Sequence, residues 1–254
     1  MQLNAACACC TGKIRTNNED NFFFDGIYLE EENNGLQDVL SAKKKFPNAG
    51  CYAVFDGMGG EAFGEKAAYL AAKTLAEYVA LKNFQTNEKG FIDISMKMNS
   101  EVCKEAEKRD FIRMGSTTAI ISFYGNKASI CNLGDSKIFL FRNGILSQIS
   151  KNHTDEILLK KQGIRNRKPR LKQHLGIHPS EMIIEPYCKE FEVFAKDKYL
   201  LCSDGLTDML DAKQIHEILE KNENVKQTTK ILLETALREG GRDNITIILL
   251  EVVL

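Results

Sequence analysis

Six apolar runs, heavy in β-branched and aromatic side chains, set the first limit on the fold: 51–55 (CYAVF), 117–124 (TTAIISFY), 127–133 (KASICNL), 137–142 (KIFLFR), 198–203 (KYLLCS) and 245–254 (ITIILLEVVL). Runs of this length bounded by turn residues read as strands. Many are apolar at successive positions, so a sheet built from them is covered on both faces. Gly125-Asn126 and Asn143-Gly144 each separate two runs by two residues, a tight-hairpin signal, and 117–149 therefore reads as an antiparallel meander. Between the strands, residues 61–82 repeat Ala, Leu and Val at three- and four-residue steps, which predicts an amphipathic helix. Segments 91–109, 212–221 and 225–238 carry the same period. The charged stretches 30–46 and 151–174 have few apolar anchors and read as loops or short surface helices. Nothing resembling a linker, a repeat or a low-complexity tract divides the 254 residues, so one mixed domain of helices and strands is expected.

Composition narrows the function classes. A formal net charge of -1 gives no general attraction to nucleic acid or to an anionic membrane. No apolar run approaches a membrane span, and the opening MQLNAACACCTGK lacks the basic lead and apolar stretch of a signal peptide, so a cytoplasmic location is expected. The eight cysteines lack the paired CxxC spacing of a metal cluster. Most lie in apolar or small-residue settings, as thiols packed like small hydrophobes do in a reducing compartment.

Acidic residues recur where these apolar runs stop. Asp56-Gly57 follows CYAVF, Gly134-Asp135-Ser136 follows SICNL, Ser203-Asp204-Gly205 follows YLLC, and Asp243-Asn244 precedes ITIILL. Near the N-terminus, Glu19-Asp20 stands just ahead of an apolar FFF, with Arg15 four residues before Glu19. One Asp-Gly pair is an ordinary turn. Several acids at strand ends are different, because one edge of a sheet brings distant residues together. Clustered carboxylates repel and need protons or cations to coexist. Without a matching His or Cys cluster, all-oxygen ligation points to a hard ion, Mg²⁺ or Mn²⁺. Asp56 reads as a metal ligand held by its strand, and Gly57 lets the backbone come close enough for its carbonyl to join it. Arg15 alone reads first as a surface ion pair with Glu19, four residues on.

RTNNEDN, FDGMGG, GSTT, NLGDSKIFLF, CSDGL and GRDNIT occur in the order and approximate spacing of the metal-dependent Ser/Thr protein phosphatases of type 2C (PPM), in their bacterial form, over positions 15–250. The chain resembles that family along nearly its whole length. The resemblance implies an α+β fold: two antiparallel β-sheets packed as a central sandwich, with helices on both outer faces. It implies one phosphatase domain over 1–254 with a flap around 151–174, and hydrolysis of phosphoserine and phosphothreonine on proteins by a metal-activated bridging water. Two Mn²⁺ or Mg²⁺ ions are implied, and a third in bacterial members. Asp56 resembles the aspartate that bridges two ions, Gly57 offers its carbonyl to one of them, and Asp204 and Asp243 complete the first ion's carboxylates. Glu19 and Asp20 fall where the second ion is held, directly or through water, without a ranking between them. Asp135, with Asp204, resembles the site of the third ion. Asn244 supports Asp243 from outside the ligand set, and Arg15 matches the arginine that receives the substrate phosphate.

Met58 stands where animal members place a histidine that protonates the leaving group, and methionine can do no acid chemistry. His153 in KNHTDE is a candidate for that role or for substrate binding, against an ordinary solvated histidine. It opens the flap segment, whose Lys160, Lys161, Arg165, Arg167, Lys168, Arg170 and Lys172 either form a solvated face or attract acidic phosphopeptides. The run lacks the interleaved aromatics of a nucleic-acid site. Phosphorylated proteins are the partners implied, together with a cognate Ser/Thr kinase; no nucleic acid or membrane is expected, and the chain is expected to be a monomer. The alternative is a regulatory relative that binds a phosphorylated partner with little turnover. Its sign would be lost metal acids, and Asp56, Asp204 and Asp243 are all retained.

Overall fold

The computed structural model describes residues 1–58, 63–81, 87–110, 113–164, 167–222 and 224–254. In chain order its strands are β1 (Gln2–Cys10), β2 (Asp20–Phe24), β3 (Leu40–Lys45), β4 (Asn48–Met58), β5 (Gly115–Ser116), β6 (Thr118–Tyr124), β7 (Lys127–Leu133), β8 (Lys137–Arg142), β9 (Ile145–Gln148), β10 (Tyr187–Glu192), β11 (Lys198–Cys202) and β12 (Ile245–Val253). The helices are α1 (Gly64–Ala80), α2 (Glu88–Glu107), α3 (Glu156–Lys161), α4 (Asp204–Thr207), α5 (Ala212–Lys221) and α6 (Val225–Arg238). One sheet runs β3-β1-β12-β11-β8-β9, the other β10-β7-β6-β4-β2, with β5 added beside β4. The pairings are antiparallel.

Alternation along the strands explains the layers. On β12, Ile248, Leu250 and Val252 enter the core between the sheets, while Ile245, Ile247 and Leu249 face outward onto helices. On β4, Tyr52 and Val54 point inward, and Cys51, Ala53 and Phe55 point out. Helix α1 lays Ala67, Ala68, Ala71, Ala72 and Leu75 on that outer face. A stripe of alanines lets a helix lie close to a sheet, and the larger strand side chains fill the remaining space. Helices α5 and α6 cover the other sheet through Ile215, Leu219, Leu232 and Ala236. The expected α-β-β-α sandwich is what forms.

Two expectations change, and one strand lies where none was read. The run 117–149 is not one meander. Its hairpins β6–β7 and β8–β9 form, but β7 and β8 belong to different sheets. The chain crosses at Gly134, whose φ of 106° suits glycine. In 30–46, Leu40–Lys45 is an edge strand rather than loop or helix, its lysines facing solvent on alternate positions as a guard against edge pairing. Residues 2–10 form β1 at the heart of a sheet. Alanine and cysteine have weak strand preference, yet small side chains are what fits with Leu3, Ala5, Cys7 and Cys9 against one core and Ala6 and Ala8 against another. All eight cysteines are free, and six are buried. No helix among the described residues is long and apolar enough to cross a membrane.

Candidate active site

At one end of the sandwich the chain opens a polar cavity of about 350 Å³, lined by Arg15, Glu19, Asp56, Gly57, Met58, Thr117, Asp135, Lys168, Pro169, Leu171, Asp204 and Asp243. Each acid arrives by a different route. Asp56 rides on β4 opposite Asp20 of β2. Its backbone N–H donates to Thr117 Oγ1 at 3.1 Å, and Thr117 Oγ1 lies 2.6 Å from Ser136 Oγ. Asp135 sits on the crossing between the sheets, Asp204 begins α4, and Asp243 lies two residues before β12.

Close backbone packing holds these junctions together. The Gly57 N–H donates to the Glu19 carbonyl at 3.1 Å, and a β-carbon at Gly57 would meet carbonyl oxygens of Glu19 and Gly64 at 2.3 Å. A β-carbon at Gly205 would lie 1.9 Å from the Asn244 carbonyl. Only glycine permits such approach. Asn244 fastens the arginine-bearing loop: its Oδ1 accepts from the Glu19 N–H at 2.8 Å, and its Nδ2 donates to the Thr11 and Asn17 carbonyls at 2.9 Å. Its backbone N–H donates to Asp243 Oδ1 at 2.9 Å. Asn244 therefore steadies both Asp243 and the 11–19 loop, a wider task than sequence reading assigned it.

Burial separates Glu19 from Asp20. Glu19 lines the cavity, whereas Asp20 is buried beneath it, accepting hydrogen bonds from Ser203 Oγ at 2.8 Å and Thr246 Oγ1 at 2.7 Å. Desolvation, with Asp204 and Asp243 repelling, raises the Asp20 carboxyl to about 7 despite those two bonds. Burial and the charges of Asp204, Asp20, Asp135 and Asp243 hold Asp56 well above the carboxylate range. Asp135 is raised to about 6, by burial first and then by Asp204. This is a nest of oxygen donors that cannot all carry charge unaided.

Two side-chain cations partly offset the repulsion. Arg15 reaches Asp243 Oδ2 at 2.9 Å, not Glu19, which lies four residues on. Lys168 Nζ lies 2.7 Å from both Asp204 Oδ2 and Asp208 Oδ2. Burial works against the Lys168 charge, but Asp204 and Asp208 hold it above the ordinary lysine value. Among the described residues no three His, Cys, Asp or Glu side chains converge as a closed ligand sphere. Arg15 and Lys168 draw Asp243 and Asp204 toward themselves instead. The donor set nonetheless fits hard divalent ions: it is all oxygen, crowded, and raised in pKa by burial and mutual repulsion.

His153 does not line the cavity. Its Nδ1 takes the Gly134 N–H at 3.2 Å and burial lowers its pKa, so it is a loop-packing histidine behind Asp135. The segment 151–174 lines the cavity through Lys168, Pro169 and Leu171. Part of its basic charge is spent locally, Lys160 on Glu156 and Arg167 on Asp155. Arg165, like Gly59 and Gly60 of the FDGMGG motif, lies outside the described residues. Sequence reading gave no role to Thr117, although GSTT contained it, and did not single out Lys168 from its basic neighbours.

A model of the family described as Protein phosphatase 2C matches residues 28–240. The serine/threonine protein phosphatase PstP of Mycobacterium tuberculosis H37Rv is 33% identical over 242 residues, 89% of this chain and 45% of that protein, so the chain spans under half of that relative. The Listeria monocytogenes EGD-e serine/threonine phosphatase stp is 29% identical over 253 residues, 94% of this chain and 92% of that one. Among solved structures, M. tuberculosis PstP/Ppp superposes with a TM-score of 0.81 at 28% identity, covering all of both chains. The PstP catalytic domain in complex with two manganese ions gives 0.78 at 28%, with the same coverage. With the family model covering most of the sequence and the sandwich shared end to end, this chain belongs to the protein phosphatase 2C family.

Proposed function

We propose that the chain hydrolyses phosphoserine and phosphothreonine on proteins in a reaction that requires Mn²⁺ or Mg²⁺. The observation carrying this reading is that Asp56, Asp204 and Asp243, from three separated segments, line one cavity with Arg15 at its mouth. The two manganese ions of the related PstP structure support a divalent requirement. Bound ions would supply Lewis-acid activation of a water and neutralise charge on the phosphoryl group.

The chain's own residues have distinct tasks. Asp56, Asp204 and Asp243, with the Gly57 carbonyl and Glu19, would hold the divalent ions. Asp20, already held by Ser203 and Thr246, acts behind Glu19 through water. Asp135 would join Asp204 in holding a further ion. Arg15, half-exposed, turns from Asp243 to grip two phosphate oxygens with its planar fork. Met58 walls the site and moves no proton. Thr117 fixes Asp56 by capping its backbone N–H. We further propose that residues 1–254 act as one domain, monomeric and cytoplasmic, opposing a Ser/Thr kinase; eight free thiols suit a reducing compartment.

The test is phosphate release from a phosphothreonine peptide with Mn²⁺, with excess EDTA, and with Asp56→Asn. Turnover that stops on chelation and falls at least about a hundredfold in the variant supports the reading. Turnover indifferent to both contradicts it.

A further inference from the structure

A second cavity, of about 510 Å³, is lined by the chain segment that runs between Arg15 and Glu19 of the catalytic one. Its lining is Thr16, Asn17 and Asn18, which join Arg15 to Glu19, together with residues 31–34 and Glu65 of α1. Three carboxylates face it: Glu31, Glu32 and Glu65. Lys66 Nζ, at 2.5 Å, neutralises Glu31. Among the described residues Glu65 receives the neutral Asn17 amide, at 3.3 Å, and is paired with no cation, and Glu32 is exposed. The cavity thus carries uncompensated negative charge a few residues from the phosphate-gripping arginine.

An independent feature of the same wall asks for a donor. Asn18 is 1% exposed, and its Oδ1 has no hydrogen-bond partner. The amide cannot simply be turned over. The Gly35 N–H donates to Asn33 Oδ1 at 2.9 Å, which fixes that amide, and Asn33 Oδ1 in turn accepts from Asn18 Nδ2 at 2.7 Å. Asn18 Nδ2 also reaches Cys9 Sγ at 3.2 Å. The network pins Asn18 with its acceptor unmet, and a buried unmet acceptor is costly. The wall itself is firm, because Gly35 bridges Cys10 and the Leu36 N–H donates to the Cys9 carbonyl at 2.8 Å.

We propose that this cavity receives a basic side chain, arginine above all, of the phosphopeptide whose phosphate Arg15 holds. The proposal rests on the phosphatase reading and names the substrate feature that reading leaves open. A guanidinium carries five donors and no acceptor. It meets carboxylates and amide oxygens together. Residues 16–18 of this cavity join Arg15 and Glu19 of the catalytic one along the chain. An extended peptide advances about 3.3 Å per residue, so the three positions on either side of the phosphoresidue are the ones to test.

The test uses the full chain and fluorescein-labelled phosphothreonine peptides in an alanine background, arginine being placed in turn at each of the three positions on either side. Excess EDTA is present for binding, so that no peptide is consumed, and Mn²⁺ for turnover. Binding is read by anisotropy, and p-nitrophenyl phosphate turnover is measured in parallel. At one or more positions arginine should tighten binding about five- to tenfold. The gain should vanish in Glu32→Gln/Glu65→Gln and diminish in Glu32→Gln alone, with aryl phosphate turnover unchanged in both. Arginine without effect at every position, or an arginine gain that survives the double substitution, overturns the proposal. So does loss of aryl phosphate turnover in the variants, since the carboxylates would then serve the catalytic cavity. If the unaltered chain fails to turn over the aryl phosphate, the phosphatase reading falls, while anisotropy still decides whether the cavity selects arginine.

Discussion

Asn244→Ala should uncouple the arginine loop from the metal-side carboxylates. The carboxamide makes three hydrogen bonds, one to the Glu19 N–H and two to the carbonyls of Thr11 and Asn17, and the residue is 4% exposed. Each such bond contributes about 1 kcal/mol net, so truncation costs about 3 kcal/mol if water does not re-enter. Against a typical total of roughly 5–15 kcal/mol that is a large share. Asn244→Asp is the sharper probe. It keeps the size and the acceptor toward Glu19, but it cannot donate to two carbonyls and adds charge beside Asp243. It should destabilise at least as much as alanine. Urea denaturation monitored by far-ultraviolet circular dichroism gives the stability, and steady-state kinetics on a phosphopeptide should show KM raised, because Arg15 rides on the released loop. A loss under about 0.5 kcal/mol for alanine, or stability restored by aspartate, refutes the clamp.

Two further outcomes follow from the charges around the cavity. Lys168 competes with any cation for Asp204, and it is 59% exposed, so its pairs are worth little each. Lys168→Ala should lower the Mn²⁺ concentration for half-binding about two- to fivefold in calorimetric titration; weaker Mn²⁺ binding would contradict the competition. Asp20 is raised in the folded chain to about 7 from an ordinary 3.8, so the folded state holds a proton that the unfolded chain releases. In chelator, the Asp20 contribution is full below about pH 4 and is lost as pH rises toward 7. The melting temperature of the native chain minus that of Asp20→Asn should therefore fall across that window, and a rising difference would refute the assignment.

What could be read from the sequence was local. The β12 and β4 runs announce themselves because both faces are apolar, and the helices over 212–221 and 225–238 fall where their period places them. Strand β1 did not, because alanine and cysteine carry little strand signal, and β3 did not, because its lysines mask an alternation that only an edge position explains. The crossing at 134–136 was invisible for another reason: a hairpin signal fixes neighbours, not which sheet the next strand joins. The acids were legible as strand-end residues, and their gathering followed from the resemblance to a family. Which cation faces which acid was not legible. Arg15 reaches Asp243 only through the packing of the 11–19 loop on Asn244, and Asp20 sinks behind Glu19 only because Ser203 and Thr246 meet it there.

The central claim is that Asp56, Asp204 and Asp243 trap divalent cations between the sheets. A crystal soaked in Mn²⁺ and measured for anomalous scattering tests it most directly. Two or more peaks in the cavity, with Asp56 touching two of them, are the expected result; an empty cavity at saturating Mn²⁺, or peaks confined elsewhere on the chain, would contradict it.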